Sequence, residues 1–149
     1  IAADARDKRK DERIARLAGK VDRVLVDAPC SGLGTLRRNP DLKWRQSAES
    51  VSALRERQRT ILLSASRLLR PGGRLVYATC SLLQAENESI AAEFDDQESR
   101  SFTRLNAESL LSAYRPASAP SLTSGQDLRL WPHLHGTDGF FAAIWQRRS

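Results

Sequence analysis

Methionine is absent from this sequence, cysteine occurs only twice, and aromatic residues make up 6% of the 149 residues. Long apolar runs are also missing, since no stretch approaches the ~20 apolar residues that a membrane-spanning helix needs. The N-terminal segment IAADARDKRK lacks the apolar core of a signal peptide. We therefore expect a cytoplasmic protein that does not contact a membrane. Because the chain has no initiator methionine, we also expect a piece of a longer protein or a processed product.

Two structural roles for the cysteines are not expected, a disulfide and a zinc site. A structural disulfide is not expected in the reducing cytoplasm. A zinc site would need both cysteines to converge with both histidines, and the sequence contains no CxxC pair and no finger-like spacing. We expect no metal site. With 40% hydrophobic and 28% charged residues, the composition is that of one soluble globular domain.

The charge balance is basic. Lys and Arg number 24 and Asp and Glu number 18, which gives a net charge of +6. This excess is compatible with a polyanionic partner such as nucleic acid, and equally with a solvated surface. The segment LRRNPDLKWR favours nucleic acid because it places four cations around Trp44, namely Arg37, Arg38, Lys43 and Arg45. Cations beside an aromatic ring suit phosphate contact and base stacking.

Buried strands and a long helix are predicted in the first half of the chain. Val21–Asp27 is predicted to be a strand buried on both faces, because Val24-Leu25-Val26 has no polar alternation. Apolar residues near a 3.6-residue period predict a helix over Ser50–Leu69, which Arg70-Pro71-Gly72-Gly73 would end. Arg74–Thr79 is predicted to be the next buried strand.

Shorter elements are predicted elsewhere. We expect a strand end at Ile1–Ala3, a helix at Glu86–Phe94, a strand at Phe102–Leu105, a loop at Arg115–Gln126, and a hairpin that pairs Leu128–Trp131 with Phe140–Trp145. The two histidines, His133 and His135, would lie in the turn of that hairpin. Long helices that join buried strands require crossover connections. The fold class is therefore expected to be α/β, with a mostly parallel sheet and a terminal antiparallel hairpin strand.

A thiol follows each of two predicted strands. Cys30 comes after Val21–Asp27, Cys80 comes after Arg74–Thr79, and Asp27 lies three residues before Cys30. The carboxyl ends of neighbouring parallel strands meet at one edge of a sheet, where open α/β sheets bind their ligands. We therefore expect both sulfurs to face one cleft. A thiol there can be activated to the thiolate that attacks carbon, although an isolated cysteine is more often a small buried packing residue.

Several motifs together resemble one enzyme family. They are DAPCSG at Asp27–Gly32, NPDLKW at Asn39–Trp44, LLRPGGRLVYATCS at Leu68–Ser81, AENE at Ala85–Glu88, LRLWPHLHGTDGFFAAIW at Leu128–Trp145 and IAADAR at Ile1–Arg6. Their order and context are similar to those of the RNA (cytosine-5) methyltransferases of the Sun, or RsmB, family. The resemblance runs nearly end to end, and residues 8–20 and 95–127 diverge.

The resemblance implies a Rossmann-like class I methyltransferase sheet and a covalent mechanism. Cytosine C5 is a poor nucleophile, so the family adds a cysteine thiolate to C6, and C5 then takes the methyl group of S-adenosylmethionine. Cys80 matches the family's nucleophile, and Cys30 matches the cysteine that assists product release. Asp27 matches the acid that contacts the base near N3 and the exocyclic amine. The implied partner is RNA, with ribosomal RNA as the expected substrate.

Only part of the family's cofactor site is present. Asp4 matches an acidic residue near the adenine, and the loop that contains Asp27 and Pro29 borders the cofactor in the family. The family's glycine-rich loop, its ribose-binding acid and an active-site lysine lie upstream of the matched residues, and this chain contains no GxGxxG motif. Residues 1–149 are therefore expected to be a single partial catalytic domain, its C-terminal part, without the glycine-rich cofactor loop.

Two hypotheses from different classes stay open. One is a fragment of an RNA cytosine-5 methyltransferase. The other is a non-catalytic α/β module that binds nucleic acid and whose cysteines are structural. Binding alone needs neither the pair of strand-end thiols nor Asp27, and these features favour the enzyme. An amino methyltransferase on the same fold would carry an Asn/Asp-Pro-Pro-aromatic loop where this chain has DAPC.

Overall fold

The computed structural model describes residue 12, residues 14–114 and residues 121–149. Its helices are α1 (Leu42–Arg45), α2 (Ala48–Ser66), α3 (Glu88–Glu98), α4 (Ala107–Leu111) and α5 (Pro132–His135). Its strands are β1 (Val21–Asp27), β2 (Leu69–Thr79), β3 (Phe102–Leu105), β4 (Thr123–Ser124), β5 (Asp127–Leu130) and β6 (Phe140–Arg147). Short 3-10 turns lie at Leu33–Thr35, Gln84–Glu86 and Ser112–Tyr114. None of the helices in this part of the chain is long and apolar enough to cross a bilayer.

Strands β1 and β2 are parallel neighbours joined by α2. The helix begins after Ser47, whose side chain accepts a hydrogen bond from the backbone N–H of Ser50 and so caps the first turn. Leu62 on its apolar side is buried in the core. At the carboxyl ends of the two strands, Asp27 lies opposite Ala78. The loops that follow β1 and β2 therefore leave the sheet at the same edge.

A reversed strand, β6, lies in the middle of the sheet. It pairs antiparallel with β2 on one side and with β3 and β5 on the other. Four described strands, β1, β2, β3 and β5, consequently run in one direction, and β4 and β6 run in the other. The predicted α/β class, the prevailing strand direction and the terminal hairpin are confirmed. Because β6 is inserted among strands of the opposite direction, β1 and β2 are the one hydrogen-bonded parallel pair among the described strands.

One face of the sheet carries the core. Leu75 and Tyr77 of β2 and Phe141 and Trp145 of β6 are fully buried on this face. The ring of Phe94 in α3 packs edge-on against Trp145, with the centroids 4.8 Å apart. An edge-on aromatic pair contributes more stability than the burial of its surface area alone. The core therefore lies beneath the strands whose ends carry the two cysteines.

The prediction that β1 is buried on both faces is wrong for the described structure. Val26 is 5% exposed, whereas Leu25 is 66% exposed. Successive residues of a strand point to opposite faces, and Val24 and Val26 share the face that the core covers. Leu25 therefore lies on the other face, where its neighbour in β2, Val76, is also only partly buried.

The end of the long helix also differs from the prediction. α2 ends at Ser66, and Arg70-Pro71-Gly72-Gly73 lies within the bounds of β2. Gly72 has a positive φ of 76°, and the pairing with β1 shifts register between Val21 and Arg23. The glycine pair thus provides an irregular start to the strand, because a positive φ suits glycine.

The remaining predicted elements agree in type with the structure. The strand at Phe102–Leu105 has the predicted bounds, and β5 and β6 form the predicted hairpin. α3 begins at Glu88, two residues later than predicted, because Gln84–Glu86 forms a 3-10 turn. The predicted strand end at Ile1–Ala3 lies outside the described residues, and so do residues 115–120 of the predicted loop. The described end of that loop contains β4.

Candidate active site

The two cysteines meet at the carboxyl edge of the parallel strand pair. The Sγ atoms of Cys30 and Cys80 are 3.5 Å apart. Both are free thiols, and both residues are partly buried. The predicted convergence of the two sulfurs is therefore confirmed, and it follows from the aligned ends of β1 and β2.

Backbone hydrogen bonds hold the two cysteine loops against each other. Ala28 N–H donates to the carbonyl of Ala78 at 2.9 Å, and Gly34 N–H donates to the carbonyl of Cys80 at 2.8 Å. Gly139 N–H, just before β6, donates to the carbonyl of Gly34 at 2.8 Å. These bonds join the loop after β1, the end of β2 and the start of β6.

Gly34 is at a point of close backbone approach. A Cβ atom placed on it would lie 2.3 Å from the carbonyl oxygen of Gly139 and 2.6 Å from that of Cys80. Both contacts are with backbone atoms, which cannot rotate away as the end of a side chain can. The position therefore requires glycine for steric reasons.

The two thiols have different acidities because they form a hydrogen bond with each other. This bond lowers the pKa of Cys80 to about 7, against the opposing effects of burial and of the charges on Asp27 and Glu86. The same bond, together with burial, raises the pKa of Cys30 above its ordinary value. Cys80 is therefore the more acidic of the two thiols, and Cys30 donates to it once Cys80 has ionised. A thiolate is the nucleophilic form of cysteine.

The predicted acid and proline lie beside the thiols. Asp27 is exposed at the end of β1, and its charge raises the pKa of Cys80, so the two groups interact electrostatically. The carbonyl of Pro29 accepts a hydrogen bond of 2.8 Å from Nε2 of Gln58 in α2. This bond fixes the loop between Asp27 and Cys30. Asp4, the other residue predicted for the cofactor, lies outside the described residues.

Two fully buried polar residues of the site, Glu86 and Gln58, were not predicted from the sequence. Gln58 Nε2 donates to Oε1 of Glu86 at 3.0 Å, and the backbone N–H of Ser31 donates to the same oxygen at 2.9 Å. A signal was present for Gln58. It occurs four residues after Leu54 and four before Leu62, on the apolar stripe of α2, where a polar residue is out of place.

The basic segment before α2 forms an exposed surface next to the cysteine loop. Trp44 is 81% exposed, and Nζ of Lys43 lies 4.8 Å from its ring centroid. Gln46 donates from Nε2 to the carbonyl of Ser31 at 3.0 Å and so ties this segment to the loop of Cys30.

Three of the predicted cations in this segment form ion pairs within the chain. Nε of Arg37 lies 2.7 Å from Oδ1 of Asp138, and Arg38 pairs with the other oxygen of the same carboxylate. Nη2 of Arg45 lies 2.6 Å from Oδ2 of Asp41. The Asp138 pairs connect the basic segment to the turn before β6. These pairs are exposed, and exposed ion pairs exchange easily for an external phosphate.

The histidines lie in the β5–β6 connection, as predicted. Nδ1 of His135 accepts a hydrogen bond from the backbone N–H of Trp131 at 2.9 Å, and Nε2 lies 2.8 Å from the carbonyl of Ser121. The imidazole of His135 therefore stabilises the turn. His133 is exposed beside Trp131, with the ring centroids 6.2 Å apart.

Comparison with known proteins points to one family. Residues 1–146 match the family model described as 16S rRNA methyltransferase RsmB/F. A Mycobacterium tuberculosis protein named as a methyltransferase is 44% identical over 139 residues, which cover 93% of this chain and 29% of that protein. Ribosomal RNA small subunit methyltransferase B of Sodalis glossinidius is 40% identical over 122 residues, covering 82% of this chain and 25% of that protein.

A solved structure shows the same relationship. The crystal structure of NSun6 from Pyrococcus horikoshii with SFG has a TM-score of 0.70 and 28% sequence identity to this chain. The similarity covers 100% of this chain and 34% of that one. The chain thus spans about a third or less of the relatives named here.

Proposed function

Because the chain belongs to the RsmB/F family of 16S rRNA methyltransferases, we propose that it forms part of an S-adenosylmethionine-dependent RNA cytosine-5 methyltransferase. The pairing of Cys30 and Cys80, with sulfurs 3.5 Å apart at aligned strand ends, carries this proposal. A module that only binds nucleic acid needs no thiol whose pKa is lowered towards neutrality. The relatives named as ribosomal RNA methyltransferases support ribosomal RNA as the substrate and the bacterial cytoplasm as the place of action.

In the proposed reaction, Cys80 activates the target base. Its thiolate bonds to C6 of cytosine, and the electron pair of the C5–C6 double bond moves into the ring and gives C5 nucleophilic character. Asp27, exposed at the same edge, would place a proton at N3 and accept a hydrogen bond from the exocyclic amine, so that the negative charge that develops at N3 is neutralised. The bound cofactor supplies the methyl group that C5 accepts.

Cys30 would act in product release. After methylation, the C5 proton must leave so that the electron pair of the C5–H bond can reform the double bond and expel the Cys80 sulfur. Once Cys80 is bonded to carbon, it no longer provides the negative sulfur that holds the Cys30 proton. Loss of this partner and the position of Cys30 beside the adduct make it suitable to assist proton removal.

The described residues fit the cofactor in part. S-adenosylmethionine carries a cationic sulfonium, and the exposed carboxylate of Asp27 beside the thiols suits such a group. Asp4, Asp27 and Pro29 would hold the cofactor from this chain. We propose that residues 1–149 are the C-terminal part of the catalytic domain and that the glycine-rich loop belongs to residues upstream. The isolated chain is then expected to bind S-adenosylmethionine weakly or not at all, and micromolar binding by calorimetry would contradict this division.

The decisive experiment compares Cys80→Ala with the unchanged complete enzyme. Both are incubated with 16S rRNA and radiolabelled S-adenosylmethionine, and RNA binding is measured separately. We expect the variant to lose methyl transfer and keep nearly all its RNA affinity, because phosphate contacts provide most of that affinity. Asp96→Asn, an exposed change on α3, is the control and should remain active. Substantial 5-methylcytosine formation by Cys80→Ala would favour the structural-cysteine hypothesis.

A further inference from the structure

We propose that Glu86 is a positioning residue that sets the separation between Cys30 and Cys80. Its carboxylate is fully buried and is hydrogen-bonded to the residue that follows each cysteine in the chain. The inference rests on the proposed function only in treating the two thiols as the reacting pair. The hydrogen bonds themselves make no use of RNA or cofactor.

Each carboxylate oxygen of Glu86 accepts two hydrogen bonds. Oε1 accepts from the backbone N–H of Ser31 at 2.9 Å and from Nε2 of Gln58 at 3.0 Å. Oε2 accepts from the hydroxyls of Ser31 and Ser81, both at 2.5 Å. Because Ser31 follows Cys30 and Ser81 follows Cys80, a single rigid group fixes the backbone next to both sulfurs.

Glu86 is itself held firmly to β2. Its backbone carbonyl accepts a hydrogen bond of 2.6 Å from the hydroxyl of Tyr77, which is fully buried in that strand. The next residue, Asn87, donates from Nδ2 to the carbonyl of Ser81 at 2.9 Å and accepts from the hydroxyl of Thr79 at 2.5 Å. The carboxylate therefore connects the Cys30 loop to β2.

The energetic cost of this arrangement also indicates a positioning role. Burying a carboxylate is expensive unless hydrogen bonds satisfy it, and the four donors on Glu86 are all neutral groups. Apolar residues of similar volume often stabilise a protein as well as a buried ionised group does. Apolar residues at all of these positions would supply stability as well, whereas a fixed distance between two loops requires a group that accepts bonds from both.

The variants Glu86→Gln and Glu86→Ala separate the effect of the hydrogen bonds from the effect of the charge. In Glu86→Gln the amide oxygen can take the two N–H donors, and the amide nitrogen can face the two hydroxyls, which rotate to accept. The connection between the loops then survives without a charge. Glu86→Ala removes the acceptor of four donors, which are the N–H of Ser31, the hydroxyls of Ser31 and Ser81, and the amide of Gln58. The Cys30 loop is therefore released.

The probe of thiol separation is phenylarsine oxide, an arsenical that bridges two adjacent thiols. The arsenic forms two As–S bonds, and its oxygen leaves as water with the two thiol protons, so no oxidant is consumed. We measure its affinity for the 149-residue chain by competition with ethanedithiol. We expect Glu86→Gln to bind within about threefold of the unchanged chain and Glu86→Ala to bind at least about tenfold more weakly. Cys30→Ala marks the affinity of a single thiol, and Asp96→Asn is the matched acid-to-amide control.

A second variant keeps the test valid if Glu86→Ala does not fold, as circular dichroism will show. Ser31→Ala removes one of the two hydroxyls on Oε2 and leaves the backbone bond of Ser31 in place. We expect it to fold and to weaken the arsenical by about threefold. Unchanged arsenical affinity in folded Glu86→Ala, or in Ser31→Ala if the former is unfolded, would overturn the proposal. Because the assay contains neither RNA nor cofactor, that result would leave the proposed methyl transfer standing.

In the complete enzyme the same variants should separate chemistry from binding. Glu86→Ala should lower kcat for methyl transfer and leave KM for RNA within about twofold, because it moves the thiols and not the RNA surface. Glu86→Gln should restore most of kcat. A higher KM for RNA with an unchanged kcat would contradict a positioning role. Loss of all methyl transfer in the unchanged enzyme as well would instead count against the proposed function.

Discussion

The Sγ atom of Cys30 lies 3.5 Å from the Sγ atom of Cys80, and the shared hydrogen bond makes the two thiols chemically unequal. The pKa of Cys80 falls while that of Cys30 rises. The cysteine proposed to attack is therefore the more acidic of the two, and the cysteine proposed to assist release is the less acidic. The division of labour that the family resemblance implies thus has a physical basis in this geometry.

The pH dependence of alkylation follows from the pKa of about 7 for Cys80. Iodoacetamide should label Cys80 with a midpoint near pH 7, because the thiol is protonated at lower pH and a thiolate at higher pH. Cys30→Ala removes the donor, so the midpoint should rise towards the ordinary thiol value of ~8.5 and labelling at pH 7 should slow by about tenfold. Mass spectrometry of the labelled peptide checks this. An unshifted midpoint in Cys30→Ala would mean that the hydrogen bond does not set the acidity.

Replacement of Gly34 should disturb both stability and the site. The added methyl group of Gly34→Ala meets the carbonyl oxygens of Gly139 and Cys80, so the loop must move, at a cost of about 1–3 kcal/mol. Phenylarsine oxide binding should weaken as well. Gly125→Ala is the control, because its φ of 61° is unfavourable for alanine but a Cβ there meets nothing within 4 Å. Urea unfolding measures the first effect, and equal behaviour of the two variants would show that the close approach is unimportant.

The exposed ring of Trp44 should contribute to RNA affinity. Stacking of a base on an aromatic side chain is worth about 1–3 kcal/mol, so Trp44→Ala in the complete enzyme should weaken RNA binding by about tenfold at fixed salt. The value of kcat should change little, because Trp44 is not in contact with the thiols. Tyr114→Ala removes another exposed aromatic residue, 87% exposed, from a site remote in sequence from the basic segment. Similar losses for both variants would argue against a specific stacking surface.

Local patterns predicted the strands and the thiol pair well, for a physical reason. The apolar run Val24-Leu25-Val26 indicated a strand although one of its faces is largely exposed, and Val21–Asp27 has the predicted bounds. The rule that neighbouring parallel strands end at one edge then brings Cys30 and Cys80 together without knowledge of any loop conformation. Convergence of the sulfurs was predictable because it depends on the sheet and not on side-chain packing.

Long-range packing explains what could not be predicted. Nothing local in Phe140–Arg147 specifies that β6 inserts between β2 and β5, because pairing partners depend on the whole sheet. The exposure of Leu25 depends on which face α2 and α3 cover, and the apolar triplet at 24–26 carries no information on that. The contacts of Glu86 come from three separate segments, so the motif AENE could show its presence but not its burial.

The central claim is that Cys80 forms the bond to the base and that Cys30 allows its release. The most direct test is a denaturing gel of the complete enzyme incubated with substrate RNA and S-adenosylmethionine. Cys30→Ala should accumulate a slowly migrating protein–RNA adduct, because addition and methyl transfer proceed while elimination stalls. The adduct should be absent from the Cys30/Cys80 double variant. Normal turnover by Cys30→Ala without any adduct would contradict the account and make Cys30 a packing residue.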